Sequence, residues 1–209
     1  SPVTPDEPRF PFTTDSKLVV DTIKAMEENG VSLLDVELIR TDPDTSVDDF
    51  KPFVEVAAQM DARHIVTQIP VPERRRAIVR FQEVCDLAAP FGLTVDLEFL
   101  PWSPTFGLHD AVDIVTESAR PNGGILIDTL HFSRSQSSIG EVATLARELF
   151  HFVQLCDARA PASNSQEELI RVARSDRMPA GEGDILLRPI LHALPTIPYA
   201  LEAPNDVRR

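Results

Sequence analysis

Six polar side chains stand at or near the ends of otherwise apolar runs: Glu37 in SLLDVELI, Gln68 in HIVTQI, Glu98 in LTVDLEFL, Asp128 in GILIDTLH, Gln154 in HFVQLC and Glu202 in YALEAP. Four of them are carboxylates. Gathered at one place they would repel one another and lose water, and a divalent cation relieves both penalties. Oxygen donors without thiolates or paired histidines favour a hard or borderline ion, Mn²⁺ or Mg²⁺, over structural zinc. His131, three residues after Asp128, is placed to hydrogen-bond a substrate hydroxyl or to orient a ligand. Arg134 and Arg159 offer guanidinium groups that clamp a substrate carboxylate or phosphate, and Trp102 offers an apolar wall.

Each residue also has an ordinary use. Glu37 and Gln68 are candidates for contact with the substrate, but a single such residue at a strand end is commonly a solvated loop residue or an ion-pair partner, and Gln154 has the alternative use of satisfying buried backbone groups. Asp157 reads as a helix cap or turn residue as readily as a support for a metal ligand. His64, His109, His151 and His192 read as structural or exposed.

The elements that must position these groups follow from periodicity. Asp15 to Glu28 repeats Leu18, Val19, Ile23 and Met26 at helical spacing and stops at Asn29-Gly30. Ser32 to Ile39 is a short apolar strand ended by Asp42-Pro43-Asp44. The pair then recurs along the chain: helices over 46–60, 73–89, 108–119, 139–150 and 185–194 alternate with strands over 64–69, 93–100, 124–131, 151–156 and 198–204. Ser46 is placed to cap the second helix, and a short helix over 166–173 interrupts the long connection from Asp157 to Asp184.

Strict alternation with strands too apolar to face water implies a parallel sheet covered by helices. An open nucleotide-binding sheet would carry a glycine-rich turn after an early strand, and neither GxGxxG nor GxxxxGK[ST] occurs in the chain. The expected fold is therefore a (β/α)₈ TIM barrel, whose C-terminal strand ends share one mouth. Only six strands are legible, so two are expected before Ser1 and a last helix after Arg209. The whole of 1–209 reads as a single domain.

The segments FGLTVDLEFLPW, GGILIDTLHFSRS, HFVQLCDAR, PAGEGDI and YALEAP, in that order, resemble the sugar phosphate isomerase/epimerase family of xylose isomerase-like barrels over roughly residues 15–209. The resemblance implies that Glu98, Asp128, Gln154 and Glu202 ligate one divalent metal. Gln154 departs from the histidine more usual there. It further implies isomerisation or epimerisation beside a carbonyl, with Glu98 and Glu202 as acid and base and His131 assisting. The substrate class is a small carbohydrate-like hydroxy-carbonyl compound, and a homodimer is the assembly such barrels often adopt. The same machinery suits a lyase of the 3-dehydroshikimate dehydratase type. A non-catalytic subunit is the third reading, because a barrel lacking two strands exposes unpaired edges.

Composition narrows the classes further. The chain has 209 residues with 20 Lys+Arg against 33 Asp+Glu, a formal charge of −13 that repels nucleic acid. The basic run Arg74-Arg75-Arg76 opens a helical pattern and reads as a solvated helix start. No run approaches the ~18 apolar residues of a membrane span, so a cytoplasmic enzyme is expected. Cys85 and Cys156 lie apart in apolar segments, as reduced, buried thiols do.

Overall fold

A computed structural model describes residues 10–206. It places β1 (Asp35–Arg40), β2 (His64–Gln68), β3 (Thr94–Glu98), β4 (Gly123–Asp128), β5 (Val153–Leu155) and β6 (Tyr199–Leu201) side by side in chain order. Every neighbouring pair is parallel. That order decides between the two α/β architectures. A doubly wound sheet reverses its strand order at a switch point, whereas barrel staves follow the chain. The described residues supply six such staves.

Helices return the chain on the outer face. Ser16–Glu28 is α1, with Asp15 capping it by accepting the Leu18 N–H, and Gly30 at φ +63° makes the left-handed exit. Between strands run α2 (Lys51–Gln59), α3 (Arg74–Ala88) and α4 (Leu108–Ser118). Two short helices, α5 (Thr129–Arg134) and α6 (Ile139–Val142), join β4 to β5, and α7 (Gln166–Ser175) and α8 (Leu187–Ala193) join β5 to β6. One stripe of α3 is buried: Ala77, Phe81, Val84, Cys85 and Ala88 all turn inward. They join Ile65, Val95, Leu97, Ile125 and Ile127 from the outward side of the sheet in one continuous core. On the inward side Val66, Leu126 and Phe152 form a smaller apolar plug, with Leu38 and Ala200 against it.

Three local expectations are corrected. The helix expected over 139–150 is a four-residue turn, α6, followed by a 3₁₀ turn at Arg147–Leu149. Thr144 folds back onto the Glu141 carbonyl and ends it, while Val142 and Phe150 are still buried. The helix expected from Ser46 begins as a 3₁₀ turn, Val47–Phe50, and Ser46 makes no capping bond. Pro52, which has no N–H, lies within the first turn of α2 and fixes where the α-helix starts. The segment expected to run from strand into loop by His131 leaves the strand at Asp128 and enters a helix instead, the Asp128 carboxylate accepting the His131 N–H and capping α5. The basic run at the start of α3 is tied down: Arg74 pairs with Asp113 and Glu117 of α4.

Candidate metal and active site

Strand alternation sends every second side chain inward. Gln68, Glu98, Asp128 and Gln154 thereby share the C-terminal edge of the sheet, and Glu202 follows directly on β6. Glu37 joins them through a bulge. The register between β1 and β2 slips between Val36 and Ile39, so Glu37 and Leu38 both face the interior.

Hydrogen bonds lock these groups to one another. Gln68 Nε2 donates to Glu98 Oε2 at 2.5 Å and its Oε1 accepts from Arg40. Gln154 Nε2 donates to Glu37 Oε1. His131 Nε2 lies 3.6 Å from Glu98 Oε1 and 4.0 Å from Asp128 Oδ2. The Trp102 ring meets the His131 imidazole edge-on at 5.1 Å. Glu98, Asp128, Gln154 and His131 are buried, whereas the Glu202 side chain keeps 32% exposure and marks the open side.

The residue that sequence reasoning missed is Arg177, in the loop just before the PAGEGD segment. Its guanidinium is buried between two of the carboxylates: Nη1 donates to Asp128 Oδ2 at 2.5 Å and to Glu202 Oε2 at 3.1 Å, and Nε donates to the Ala173 carbonyl. Nη2 lies 3.4 Å from His131 Nε2. The loop is held by backbone pairing of Asp157 with Met178 and of Asp176 with Asn205. A loop arginine carries no periodicity, so only its neighbour PAGEGD was a signal.

These surroundings divide the carboxyl groups. Burial alone would raise Asp128, but the Arg177 charge overrides it and holds Asp128 near pKa 2. Burial pushes Glu98 up to about 8, with the Asp128 charge adding to it. Burial also pushes Glu202 up to about 9 against the pull of Arg177, which is closer to Asp128. Burial lowers His131 to about 4, so its imidazole is neutral.

The donor set fits a divalent cation. One ligand atom each from Glu98, Asp128 and His131 lie within 4.8 Å of one another. Gln154 Oε1 and His131 Nδ1 are buried without a hydrogen-bond partner, a costly state for polar atoms unless something else meets them.

Glu37 and Gln68, expected to touch substrate, bond to Gln154 and Glu98 and so position them. Arg134 donates to the Arg159 backbone carbonyl, and the two border separate surface clefts of about 450 and 370 Å³ on either side of Ala160-Pro161. The structure gives no hydrogen bond or ion pair between either side chain and Glu98, Asp128 or Glu202. Asp157 is a loop organiser, accepting the N–H groups of Ala158, Gly181 and Ile185.

Comparison with known proteins agrees with this architecture. Residues 3–206 match the family model described as xylose isomerase-like TIM barrel. The chain belongs to the xylose isomerase-like TIM barrel family. Within that family it is similar to an inosose isomerase of Bacillus velezensis, 26% identical over 104 residues, covering 44% of this chain and 37% of that protein. The chain therefore matches little more than a third of that relative's length. A crystal structure of the IolI protein with a bound zinc atom superposes with a TM-score of 0.79 at 18% identity, covering 90% of this chain and 73% of that one. A D-allulose 3-epimerase from Methylomonas sp., in complex with D-allulose, superposes with a TM-score of 0.69 at 16% identity, covering 90% and 69%. No helix among the described residues of this xylose isomerase-like chain is long and apolar enough to cross a membrane.

Proposed function

We propose that this chain carries the active site of a divalent-metal-dependent isomerase or epimerase acting on a small polyhydroxy carbonyl compound. The observation that carries the reading is the buried group of Glu98, Asp128 and His131, whose ligand atoms lie within 4.8 Å of one another, with Glu202 joined to Asp128 through Arg177 and with Gln154 Oε1 buried without a partner. Glu98, Asp128, Gln154 and Glu202 would hold the metal. When bound, it draws electron density from the substrate's carbonyl and hydroxyl oxygens and so lowers the cost of removing the neighbouring carbon-bound proton.

The chain's own residues do the rest. Glu98 and Glu202, held on different strands with elevated proton affinity, are suited to removing a proton and returning it near neutral pH. Gln68 fixes the Glu98 carboxylate, and Arg177 anchors Asp128 and Glu202. Neutral His131, backed by Trp102, presents a nitrogen to a substrate hydroxyl. The similarity to an inosose isomerase and the fold shared with an allulose epimerase support a cyclic or linear polyol ketone as substrate.

The test is incubation with inosose- and ketohexose-type compounds in D₂O with Mn²⁺, Mg²⁺ or Zn²⁺, followed by mass spectrometry. Deuterium gain without other mass change, abolished by Glu98→Gln and by chelator, is the expected result. Loss of water from the substrate would identify a lyase instead, and no exchange with any metal would overturn the reading.

A further inference from the structure

The end of the sheet opposite the mouth holds a second polar cluster. His64 opens β2, Thr94 opens β3, Asp96 lies two residues along β3, and His151 leads into β5. Asp96 is fully buried, and the ion partners the structure gives it are the two imidazoles: His151 Nδ1 at 2.7 Å and His64 Nδ1 at 3.8 Å. Thr94 Oγ1 bridges His64 and Asp96, at 2.6 and 3.0 Å. The two rings stack almost parallel, 5.6 Å apart and 8° from coplanar, and both keep a little solvent contact.

His151 reaches Asp96 across β4, and the crossing is possible only because residue 124 is glycine. A Cβ there would stand 2.5 Å from His151 Nδ1 and 2.6 Å from Asp96 Oδ1. A second carboxylate, Asp35, pairs in register with His64 on β1, and burial together with the Asp96 charge raises its proton affinity. The cluster is thus desolvated and rich in imidazole.

We propose that His64, Asp96 and His151 form a second divalent-cation site, of the Zn²⁺ type, that ties β2, β3 and the approach to β5 together at the closed end of the sheet. One ligand atom from each already lies within 4.8 Å of the others. A tetrahedral zinc spaces its ligand atoms about 3.3 Å apart, so closing the site needs only side-chain rotation. Two imidazoles and a carboxylate suit zinc, cobalt or nickel better than the harder ions that suit the all-oxygen mouth. The partly exposed rings leave water the fourth position. The bottom face of such a sheet serves stability, and this cation would act there as a staple between strands.

The experiment uses the full chain carrying Glu98→Gln and Asp128→Asn, which neutralise two donors at the mouth. Titration with Co²⁺ should give about one equivalent bound, visible ligand-field absorption, displacement by Zn²⁺ and a higher melting temperature. Adding His151→Gln should weaken Co²⁺ binding at least 100-fold. In the unaltered protein, Zn²⁺ should move the ring-nitrogen resonances of His64 and His151 together, which decides the matter if the variants fail to fold. Absence of Co²⁺ binding by the folded variant, binding indifferent to His151→Gln, or unmoved His64 and His151 resonances would each overturn the proposal.

Discussion

Replacing Arg177 by methionine keeps an unbranched apolar stem and removes the guanidinium that lies between Asp128 and Glu202. Asp128 is then a buried carboxylate without its partner. Breaking a buried ion pair from one side costs about 3–5 kcal/mol. At about 2–4 °C per kcal/mol for a chain of this size, the metal-free variant should melt about 6–20 °C lower than the parent. Arg177→Lys keeps the charge but not the fork that also reaches the Ala173 carbonyl, and should recover part of the loss. Metal affinity should move the other way. A unit positive charge about 5 Å from a dication repels it by roughly 1.7 kcal/mol even at the dielectric of water. Mn²⁺ should therefore bind Arg177→Met at least about tenfold more tightly. Scanning fluorimetry with and without Mn²⁺, joined to isothermal titration, reads both quantities. A metal-free melting point unchanged within about 2 °C, together with unaltered Mn²⁺ affinity, would refute the role given to Arg177.

Three further outcomes are expected. Glu98 holds its proton up to about pH 8 in the folded chain but gives it up near 4.5 when unfolded, so the native state binds more protons between those values and metal-free stability falls as pH rises through that window. The shift corresponds to about 5 kcal/mol at most, and Glu98→Gln should flatten this limb in urea melts at a series of pH values. Asp128 works in the opposite sense, its stabilisation vanishing as pH falls from 3.8 towards 2. Gly183→Ala places a Cβ 2.6 Å from the Ala158 carbonyl oxygen and against the Asp157 carboxylate, so it should cost about 1–3 kcal/mol in denaturant melts through loosening of the loop that carries Arg177. Gln154→His exchanges a neutral amide oxygen for an imidazole nitrogen, and competition titrations should show its preference shifting from Mn²⁺ or Mg²⁺ towards Zn²⁺.

Much of this molecule was legible one segment at a time. The α3 helix, the Asn29-Gly30 stop and the strands that carry Gln68, Glu98 and Asp128 depend on periodicity and turn chemistry within about ten residues. Parallel staves then bring Glu98, Asp128, Gln154 and Glu202 to one edge, because equal strand polarity leaves all their C-terminal ends on the same side. Where the local signal was weak, the expectation slipped. The helix expected over 139–150 broke up because its apolar positions could be buried by two short turns as well as by one helix.

What only the tertiary structure decided is which distant groups meet. Arg177 reaches Asp128 across 49 positions, and Gln154 reaches Glu37 across 117. Such pairs follow from the curvature of the sheet and the path of its loops, and nothing in the neighbouring residues records them. The same holds for Gly124, which reads only as the first residue of a strand in the chain and proves to be the gap through which His151 touches Asp96. Residue type and local pattern determined the strands and the acids that end them. The partners that set each acid's charge came from contacts made only when the chain closed on itself, because electrostatic energy depends on separation in space and not along the sequence.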